Sequence, residues 1–368
     1  MVQLLTEKLI DTAKHLLAIR STEDRPEELQ RALDLVINYV GDQFHVKPFS
    51  SQGKPSALIG VEDSGNEFDV LLNAHLDVVP ASDEQFRARK TGERLHARGA
   101  QDMKITALLM AEAFRTIASK VEYRLGLQLV TDEEVGGYNG TRYQIQNGVR
   151  SSFTVVGEFS NLDLVTASKG IVLVALHSEG RAGHSAYPWL ADNALLKLQR
   201  SLTRIFQAHP LPLEEAWSTT INLSHIDTPN ITRNQVPANA TAYLDIRYPP
   251  DVPEFSGREA MDIEAYLQSM CDGGVTASVE RLDAPHSARE TSFDLKCLGT
   301  AVRRQGYPAN IIRKHGAADG RFYSEKGMDA VIFGIGGDGL HGPEEYADLR
   351  TLDPYYAALC YYLRTRVN

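Results

Sequence analysis

The stretch of residues 73–80 is the feature that most constrains the fold of this chain. Residues 70–72 before it are apolar and predict a buried strand, and His75 and Asp77 follow at the carboxyl end of that strand. Side chains two residues apart on a strand point to the same side, so these two groups can converge. A carboxylate on the outer ring nitrogen fixes the orientation of a metal-bound histidine. Alone, such a pair is most often a chance surface pair, and it indicates a metal site at this strand end only together with further segments.

Four further segments carry metal-binding side chains at similar positions. Three of them follow strand-like apolar runs: Glu133 and Glu134 after residues 125–131, Glu158 after residues 153–156, and His341 after residues 330–333. Asp102 lies in a loop just before a helical run. Open α/β sheets place their ligand crevice at the carboxyl ends of the strands. The segments therefore predict one shared crevice, and the alternative for the two adjacent glutamates is an ordinary acidic loop.

The periodicity of the apolar residues predicts an α/β fold with an inserted unit. Residues 1–165 alternate helices with apolar strands, as is typical of an α/β sheet. After residue 168 the pattern changes to several antiparallel-capable strands and two helices, and helix–strand alternation resumes at residue 292. The predicted domains are a discontinuous catalytic domain, 1–168 and 283–368, and an inserted α+β lid or dimerisation domain, 169–282.

Taken together, these segments resemble the di-zinc aminoacylase and carboxypeptidase family of peptidase clan MH. That family includes acetylornithine deacetylase, succinyl-diaminopimelate desuccinylase, aminoacylase-1 and glutamate carboxypeptidase. The matching motifs run from Asn73 to Glu345. The resemblance implies a phosphorylase/hydrolase-like catalytic domain, with a mixed sheet flanked by helices, and an inserted lid domain that often also dimerises.

The resemblance also implies a role for each matching residue. One zinc ion would be held by His75 and Glu158, the other by Glu134 and His341, and both by Asp102, with Glu133 as general base and Asp77 supporting His75. Imidazole nitrogen and carboxylate oxygen suit zinc, although cobalt or manganese could occupy the same site. Two neighbouring ions can activate a shared water and polarise the scissile carbonyl.

The remaining candidates lie in the inserted unit and near the end of the chain. His184, in the segment 183–188, matches a lid histidine that stabilises the oxyanion and often comes from the partner subunit; the alternative is a loop histidine that caps a turn. Asn234 matches a lid position that contacts the substrate. Arg321 would bind a substrate carboxylate with both arms of its guanidinium, and the alternative is an internal salt bridge to Asp319.

Three positions depart from the family pattern. Gln101 stands where a small residue is usual, Ile105 and Thr106 replace a glycine pair, and Ala317 and Ala318 lack a hydroxyl that is common there. None of these departures removes a predicted ligand or the base.

Composition and charge narrow the functional classes. The formal net charge is -10 and there is no Lys/Arg-rich block, which argues against nucleic acid as a partner. No run approaches the roughly 18 apolar residues that span a bilayer. The first residues carry charge where a signal peptide needs an apolar core, and the three scattered cysteines suit a reducing compartment. We expect a cytoplasmic protein with no nucleic-acid or membrane partner.

The sequence therefore predicts a zinc-dependent hydrolase of amino-acid metabolism that cleaves the amide bond of N-acyl amino acids or short peptides with a metal-activated water. These residues do not separate a deacylase from a dipeptidase or carboxypeptidase. The alternative from a different class is a catalytically silent binding protein. The lid strands and His184 favour a homodimer through the inserted domain.

Overall fold

The computed structural model describes residues 2–62 and 65–366, with side chains described from residue 9 onward. The chain divides into two compact units. The larger unit comprises Met1–Thr166, Ser287–Arg313 and Ala318–Asn368, and the inserted unit comprises Ala167–His286 and Lys314–Ala317. The short return of the chain to the inserted unit at Lys314–Ala317 was not predicted, and the assignment of the units as catalytic domain and lid stays a prediction.

The described helices and strands follow one another along the chain with short connections. The α-helices are α1 (Val2–Leu17), α2 (Pro26–Val40), α3 (Ile105–Ile117), α4 (Thr141–Gln146), α5 (Ala194–Ala208), α6 (Ala260–Gln268), α7 (Phe293–Arg303), α8 (Gly320–Glu325) and α9 (Leu352–Thr365). The strands are β1 (His45–Ser51), β2 (Lys54–Gly60), β3 (Glu67–His75), β4 (Arg89–Thr91), β5 (Arg94–His96), β6 (Leu125–Val130), β7 (Arg150–Val156), β8 (Leu164–Ser168), β9 (Gly170–Glu179), β10 (Gly183–His184), β11 (Thr220–Asp227), β12 (Gln235–Val236), β13 (Asn239–Tyr248), β14 (Val275–Asp283), β15 (His286–Ser287), β16 (Ile311–Lys314), β17 (Asp329–Ile332), β18 (Gly337–Asp338) and β19 (Tyr346–Asp348).

The main sheet is mixed. Its strands run in the order β1-β2-β6-β3-β7-β17-β8-β15, and β16 pairs with β8. The four central strands β6, β3, β7 and β17 run parallel to one another. In contrast, β1 and β2 form an antiparallel pair, β2 is antiparallel to β6, and β8 is antiparallel to β17. Parallel strands need long crossovers, and α3 lies in the one from β3 to β6 and α4 in the one from β6 to β7.

Helices cover both faces of this sheet, which explains the continuous apolar run at residues 70–72. Val70 and Leu72 pack in a core that includes side chains of α1, α2, α3, α7 and α9. Leu71 packs on the other face with side chains of α4 and α8. Adjacent side chains on a strand point to opposite faces, so a strand that is covered on both sides is apolar throughout.

The register of the parallel strands brings polar residues together at one edge of the sheet. His75, the last residue of β3, lies opposite Val130 of β6, and Asn73 lies opposite Val156 of β7. Glu158 follows Val156 by two residues, so the same register carries it to the side of His75. The loop after β6 leaves the sheet at the same edge on the other side of β3.

A small second sheet of the larger unit connects two loops near this edge. Its strands run in the order β18-β19-β5-β4, and the described pairs are antiparallel. The segment 100–104 follows β5 as an irregular turn before α3 begins, and the segment 339–345 lies between β18 and β19.

The inserted unit is an antiparallel sheet with two helices. Its strands run in the order β11-β13-β9-β14, and a separate short ladder joins β10 to β12. Apolar side chains of α5, α6 and the sheet form the core of this unit. Across the described part of the whole chain, none of the helices has the length and apolar content that crossing a membrane requires.

Leu72 provides a test of the layered core. Its side chain is 0% exposed, and Leu72→Ala should lower the free energy of unfolding by about 2–5 kcal/mol because it removes buried methyl groups and leaves a cavity. Urea denaturation followed by circular dichroism measures the change. The control is Leu213→Ala, since Leu213 is 100% exposed and its truncation should change stability by less than about 0.5 kcal/mol. Equal stability of the two variants would contradict this description of the core.

Candidate metal centre

His75 is buried at the end of β3 and is contacted on both ring nitrogens. Its Nδ1 lies 3.1 Å from the backbone oxygen of Asp77 and 3.4 Å from Asp77 Oδ1. Its Nε2 lies 3.0 Å from Asp102 Oδ1 and 3.3 Å from Glu158 Oε1. Asp77 Oδ2 also accepts a hydrogen bond from the backbone N–H of Glu134 at 2.9 Å. Asp77 thus contacts His75 and the segment that carries another predicted ligand.

The carboxylate of Asp102 lies between two imidazoles. Its Oδ1 faces His75, and its Oδ2 lies 3.4 Å from Nε2 of His341. That same Nε2 lies 3.1 Å from Glu134 Oε2. Two groups of potential ligands result, His75 with Asp102 and Glu158, and Asp102 with Glu134 and His341, and within each group the ligand atoms lie within 4.8 Å of one another. The structure therefore brings together all five residues that the sequence predicts as ligands.

His341 reaches Asp102 from a tight turn with an unusual backbone. The N–H of Gly342 donates to the carbonyl of Gly339 at 2.8 Å, and His341 occupies the third position of the turn with φ of 59°. Glycine usually takes that left-handed position, and another residue there costs about 1–2 kcal/mol. The His341 side chain is 49% exposed, whereas that of His75 is 2% exposed. The two imidazoles therefore differ strongly in how they are held.

Glu133 and Glu134 lie in one turn of 3₁₀ helix, Glu133–Val135. The backbone of these two residues is therefore helical and not extended. Neighbouring side chains on a 3₁₀ helix still diverge, by about 120°, because the helix has three residues per turn. Glu134 turns towards His341. The charges of His75 and Glu158 both act on the carboxyl of Glu133.

The carboxylates around the two imidazoles attract positive charge. Burial lowers the pKa of His75, but hydrogen bonds with carboxylates, first that of Asp102, outweigh burial and raise the pKa well above its ordinary value. Hydrogen bonds with Asp102 and Glu134 raise the pKa of His341 to about 10. Ligand groups that hold protons this firmly release them when a metal ion binds. The donor set of two imidazoles and three carboxylates thus fits a pair of divalent cations that share Asp102.

The carboxyl of Glu133 has a raised pKa. Burial raises this pKa well above its ordinary value, and the carboxylates of Glu158 and Asp319 raise it further, while the positive charges of His75 and Arg321 act in the opposite direction. A raised pKa favours a carboxyl group that takes up and releases a proton near neutral pH.

His184 and Asn234 lie on one short ladder of the inserted unit. His184, in β10, pairs with Gln235 of β12, and the backbone carbonyl of Asn234 accepts a hydrogen bond from the Ser185 N–H at 3.0 Å. The Nδ1 of His184 accepts from the N–H of Ala186 at 3.1 Å. This contact is the turn-capping interaction that formed the alternative for His184, and it leaves the proton of the neutral ring on Nε2. The predicted roles of both residues stay predictions.

Arg321 is buried inside the larger unit. Its side chain is among the buried charged groups, at 3% exposure, and its Nη2 donates to the backbone carbonyl of Gly136 at 2.7 Å. Its guanidinium carbon lies 4.3 Å from the centre of the Phe322 ring. Burial raises the pKa of Asp319 to about 6, and the charge of Arg321 opposes this shift. The described contacts of Arg321 are therefore internal, and its predicted contact with a substrate stays a prediction.

The family follows from a match over most of the chain. Residues 71–365 match the model of peptidase family M20/M25/M40. The chain belongs to this family. The match confirms the predicted family and the predicted enzyme class, a hydrolase of a metallopeptidase family.

Several curated relatives of this M20 chain are similar over different lengths. The chain is 32% identical over 303 residues to a succinyl-diaminopimelate desuccinylase of Erythrobacter litoralis, covering 77% of this chain and 78% of the relative. It is 27% identical over 366 residues to the enzyme of that name from Gluconobacter oxydans, covering 93% of each. It is 29% identical over 240 residues to a probable carboxypeptidase of Emericella nidulans, covering 59% of this chain and only about half, 52%, of the relative.

Solved structures share the fold over nearly the full length. A tripeptidase from Staphylococcus aureus has a TM-score of 0.77 at 18% identity and covers 98% of both chains. An M20 metallo-carboxypeptidase from Sulfolobus solfataricus has a TM-score of 0.75 at 18% identity, covering 97% of this chain and 98% of the other. A dinuclear metal-binding M20 peptidase from Bacillus subtilis has a TM-score of 0.69 at 14% identity and covers 98% of both. These likenesses confirm the predicted fold class.

Two charged residues beside the ligands were missed as functional candidates. Arg98 and Glu345 are ion-paired, and their side chains are 3% and 1% exposed. Both stand in the segments that carry Asp102 and His341. The signal that could have found them is a pair of opposite charges in two segments that must meet.

Arg321→Met separates an internal role from a substrate-binding role. If the guanidinium mainly supports the Gly136 carbonyl, the variant should lose about 1–3 kcal/mol of unfolding free energy, since that carbonyl loses its buried donor. Thermal and urea denaturation measure this loss. The matched control is Arg247→Met, because Arg247 pairs with Asp245 in a partly exposed position, where an ion pair contributes at most about 1 kcal/mol. Unchanged stability with a raised KM would instead favour substrate binding.

Proposed function

We propose that this chain is a metal-dependent hydrolase that cleaves the amide bond of N-acyl amino acids or short peptides. The observation that carries the proposal is the carboxylate of Asp102, which offers one oxygen to each of two imidazoles, with the carboxyl of Glu133 within range of the charges of His75 and Glu158. The names of the relatives support it, since a desuccinylase removes an acyl group and a carboxypeptidase or tripeptidase cleaves a peptide bond.

The proposed ligands divide between two ions. His75 and Glu158 hold one ion, Glu134 and His341 hold the other, and Asp102 is shared. When bound, such a pair of ions lowers the pKa of a water molecule and polarises the scissile carbonyl. The support for a pair comes from the donor chemistry and from the dinuclear metal-binding relative. Zinc suits these donors best, with cobalt or manganese as the alternatives.

Two carboxyl groups beside the ligands have different tasks in this proposal. Glu133 takes a proton from the attacking water on its carboxylate and delivers it to the nitrogen of the leaving amine. Its raised pKa supports this role, because the group must hold the proton between the two steps. Asp77 orients the ring of His75 through Nδ1 and so directs Nε2 towards the ligand group.

His184 is the proposed donor to the oxyanion of the tetrahedral intermediate. The hydrogen bond from the Ala186 N–H to Nδ1 supports this role, since it leaves Nε2–H as the donor. One such donor contributes roughly 10²- to 10³-fold to kcat in other hydrolases. Asn234, which precedes the paired strand and bonds to the Ser185 N–H, is the proposed substrate contact. For Arg321, the internal hydrogen bond to the Gly136 carbonyl supports a role in holding the loop that carries Glu133.

A substrate panel tests the proposal and separates its branches. Protein reconstituted with Zn²⁺, Co²⁺ or Mn²⁺ is assayed for release of free amine from N-acetyl amino acids, N-succinyl amino acids, dipeptides and tripeptides. Turnover of acylated amino acids alone would assign a deacylase, and turnover of peptides alone would assign a peptidase. Two bound metal ions without turnover of any substrate class would support the alternative of a silent binding protein.

Glu133→Gln tests the assignment of the base. The variant should reduce kcat at least about 10²-fold, because an amide cannot accept the proton of the water. Metal content should be unchanged, since Glu133 belongs to neither of the ligand groups. Amine-release kinetics and metal analysis of the same preparation measure both quantities. Activity close to that of the wild type would refute the role of Glu133, and loss of metal would make it a ligand.

We also propose that two copies of the chain associate through the inserted unit. The strand β11 is at the edge of the four-stranded sheet, so its outer backbone groups are free of a partner strand among the described residues. Beside it, Leu195, Leu196, Phe206, Leu223 and Ile226 line an apolar groove on α5 and β11. An antiparallel edge can pair with its own copy around a twofold axis. The same pairing would cover the apolar groove.

Charges in the groove should prevent this association. Leu196 and Ile226 are 52% and 45% exposed, so Leu196→Glu combined with Ile226→Glu is expected to give monomers without unfolding the chain. Sedimentation velocity measures the mass. The control is Leu213→Glu, which adds the same charge at a position that is 100% exposed. A wild-type protein that stays monomeric at tens of micromolar would refute the dimer.

The predicted cytoplasmic location stays a prediction.

A further inference from the structure

We infer that Arg98 and Glu345 are positioning residues that hold the turn of His341 against the segment of Asp102. They would act on one ligand group, that of Asp102, Glu134 and His341, without touching metal or substrate. The inference rests on the ligand roles in the proposed function. Its structural part, the fixing of the turn, can be measured without any metal.

The small sheet of the larger unit brings the two residues together. Tyr346 of β19 lies opposite His96 of β5, and the N–H of Ala97 donates to the carbonyl of Glu345 at 3.2 Å. Arg98 directly follows Ala97 in the segment that continues from β5. Arg98 and Glu345 therefore lie at the same end of the β5–β19 ladder. The segment of Asp102 begins at this end, and the turn of His341 ends there.

The pair makes a continuous series of hydrogen bonds between the two ligand segments. Arg98 Nη1 donates to Glu345 Oε2, and Arg98 Nη2 donates to the backbone carbonyl of His341 at 2.8 Å. Glu345 Oε1 accepts from the backbone N–H groups of Gln101 at 3.1 Å and Asp102 at 3.3 Å. The guanidinium thus holds the backbone of one ligand, and the carboxylate holds the backbone of another.

His341 needs such support because its own backbone does not favour the observed conformation. A non-glycine residue with φ of 59° occupies a sparsely populated region. The turn lies outside any long strand or helix, and half of the His341 side chain is exposed. A backbone of this kind persists only where the surrounding structure determines it. The bond from Arg98 to the His341 carbonyl acts directly on the strained residue.

An arginine paired with a glutamate suits the task of holding this turn better than other charged residues would. Arg98 and Glu345 are removed from water, so each would be costly without the other. The planar guanidinium donates in two fixed directions and can bind a carboxylate and a carbonyl together, whereas lysine presents a compact charge without that geometry. The neutral side chain of Gln85 also contacts the turn, since its Nε2 donates a hydrogen bond to the Gly342 carbonyl at 3.0 Å.

Hydrogen exchange of the metal-free protein tests the structural part. Arg98→Met and Glu345→Gln should raise backbone amide exchange in residues 339–345 at least about tenfold, while residues 70–75 of β3 exchange as in the wild type. Arg98→Lys should give an intermediate increase, because it keeps the charge and loses the fork. The matched control is Arg366→Met, which removes a largely buried arginine paired with Asp294 between α7 and α9 and should leave residues 339–345 unchanged.

Zn²⁺ titration against a chromophoric chelator tests the consequence for the ligands. The wild type should bind two ions, and Arg98→Met, which releases the His341 turn, should lower the affinity for one of them by about 10- to 100-fold, as loss of a residue that orients a metal ligand does elsewhere. The other ion should keep its affinity to within about threefold. If the pair had a purely structural role, both zinc affinities and the melting temperature would fall together. That result would overturn the inference.

The remaining outcomes separate this inference from the proposed function. Folded Arg98→Met protein with wild-type exchange in residues 339–345 and two wild-type zinc affinities would refute the inference alone. A wild type that binds no zinc would refute the proposed function, and the exchange data would then still decide whether the pair fixes the turn. If Arg98→Met does not fold, Arg98→Lys and Glu345→Gln provide the same comparison.

Discussion

The carboxylate of Asp102 between the rings of His75 and His341 is the contact on which the site depends. A carboxylate with so little access to water is unfavourable unless positive groups and hydrogen-bond donors surround it. Burial raises the pKa of Asp102, but its hydrogen bonds with the two imidazoles outweigh burial and lower it. The chain therefore has to bring a residue from an early strand and a residue near its end to the same carboxylate. The mixed sheet, the crossover through α3 and the small second sheet all contribute to that meeting.

The two sides of Asp102 are built by different means. On the side of His75, the parallel register of β3 and β7 places Glu158 next to the ring, so backbone hydrogen bonds set the geometry. On the side of His341, a turn between two short strands carries the imidazole, and side chains bonded to the backbone set the geometry. Backbone ladders are stiff because every residue contributes to them. A turn depends on a few contacts, and a single substitution in those contacts is therefore expected to change one side of the site more than the other.

These two means also explain how much the sequence could predict. The apolar runs before His75, Glu133 and Glu158 gave the strands and the shared edge, because burial on both faces leaves a pattern that is visible in the sequence. The apolar run before His341 also indicated this edge, whereas the position of Asp102 between the two imidazoles came from the family resemblance and not from periodicity. The pair of Arg98 and Glu345 escaped prediction because 247 residues separate its members, and a bond between a side chain and a distant loop leaves no local pattern. The 3₁₀ turn of Glu133–Val135 was missed for a similar reason: Asp77, in the loop after β3, contacts it by accepting a hydrogen bond from the Glu134 N–H.

Arg321, predicted to bind a substrate carboxylate, also has an internal role in the larger unit. The sequence argument took its guanidinium as a fork for a substrate carboxylate, yet its described bond is to the Gly136 carbonyl, at the end of the turn that carries Glu133. At that place its charge opposes the rise in the pKa of Glu133 caused by burial and by the carboxylates of Glu158 and Asp319. The charge of His75 acts in the same direction as that of Arg321, so two positive groups oppose the rise in the pKa of this buried carboxyl. For the proposed role of Glu133 as base, such opposing charges favour a group that both accepts and releases a proton, and the internal position of Arg321 makes it one source of them.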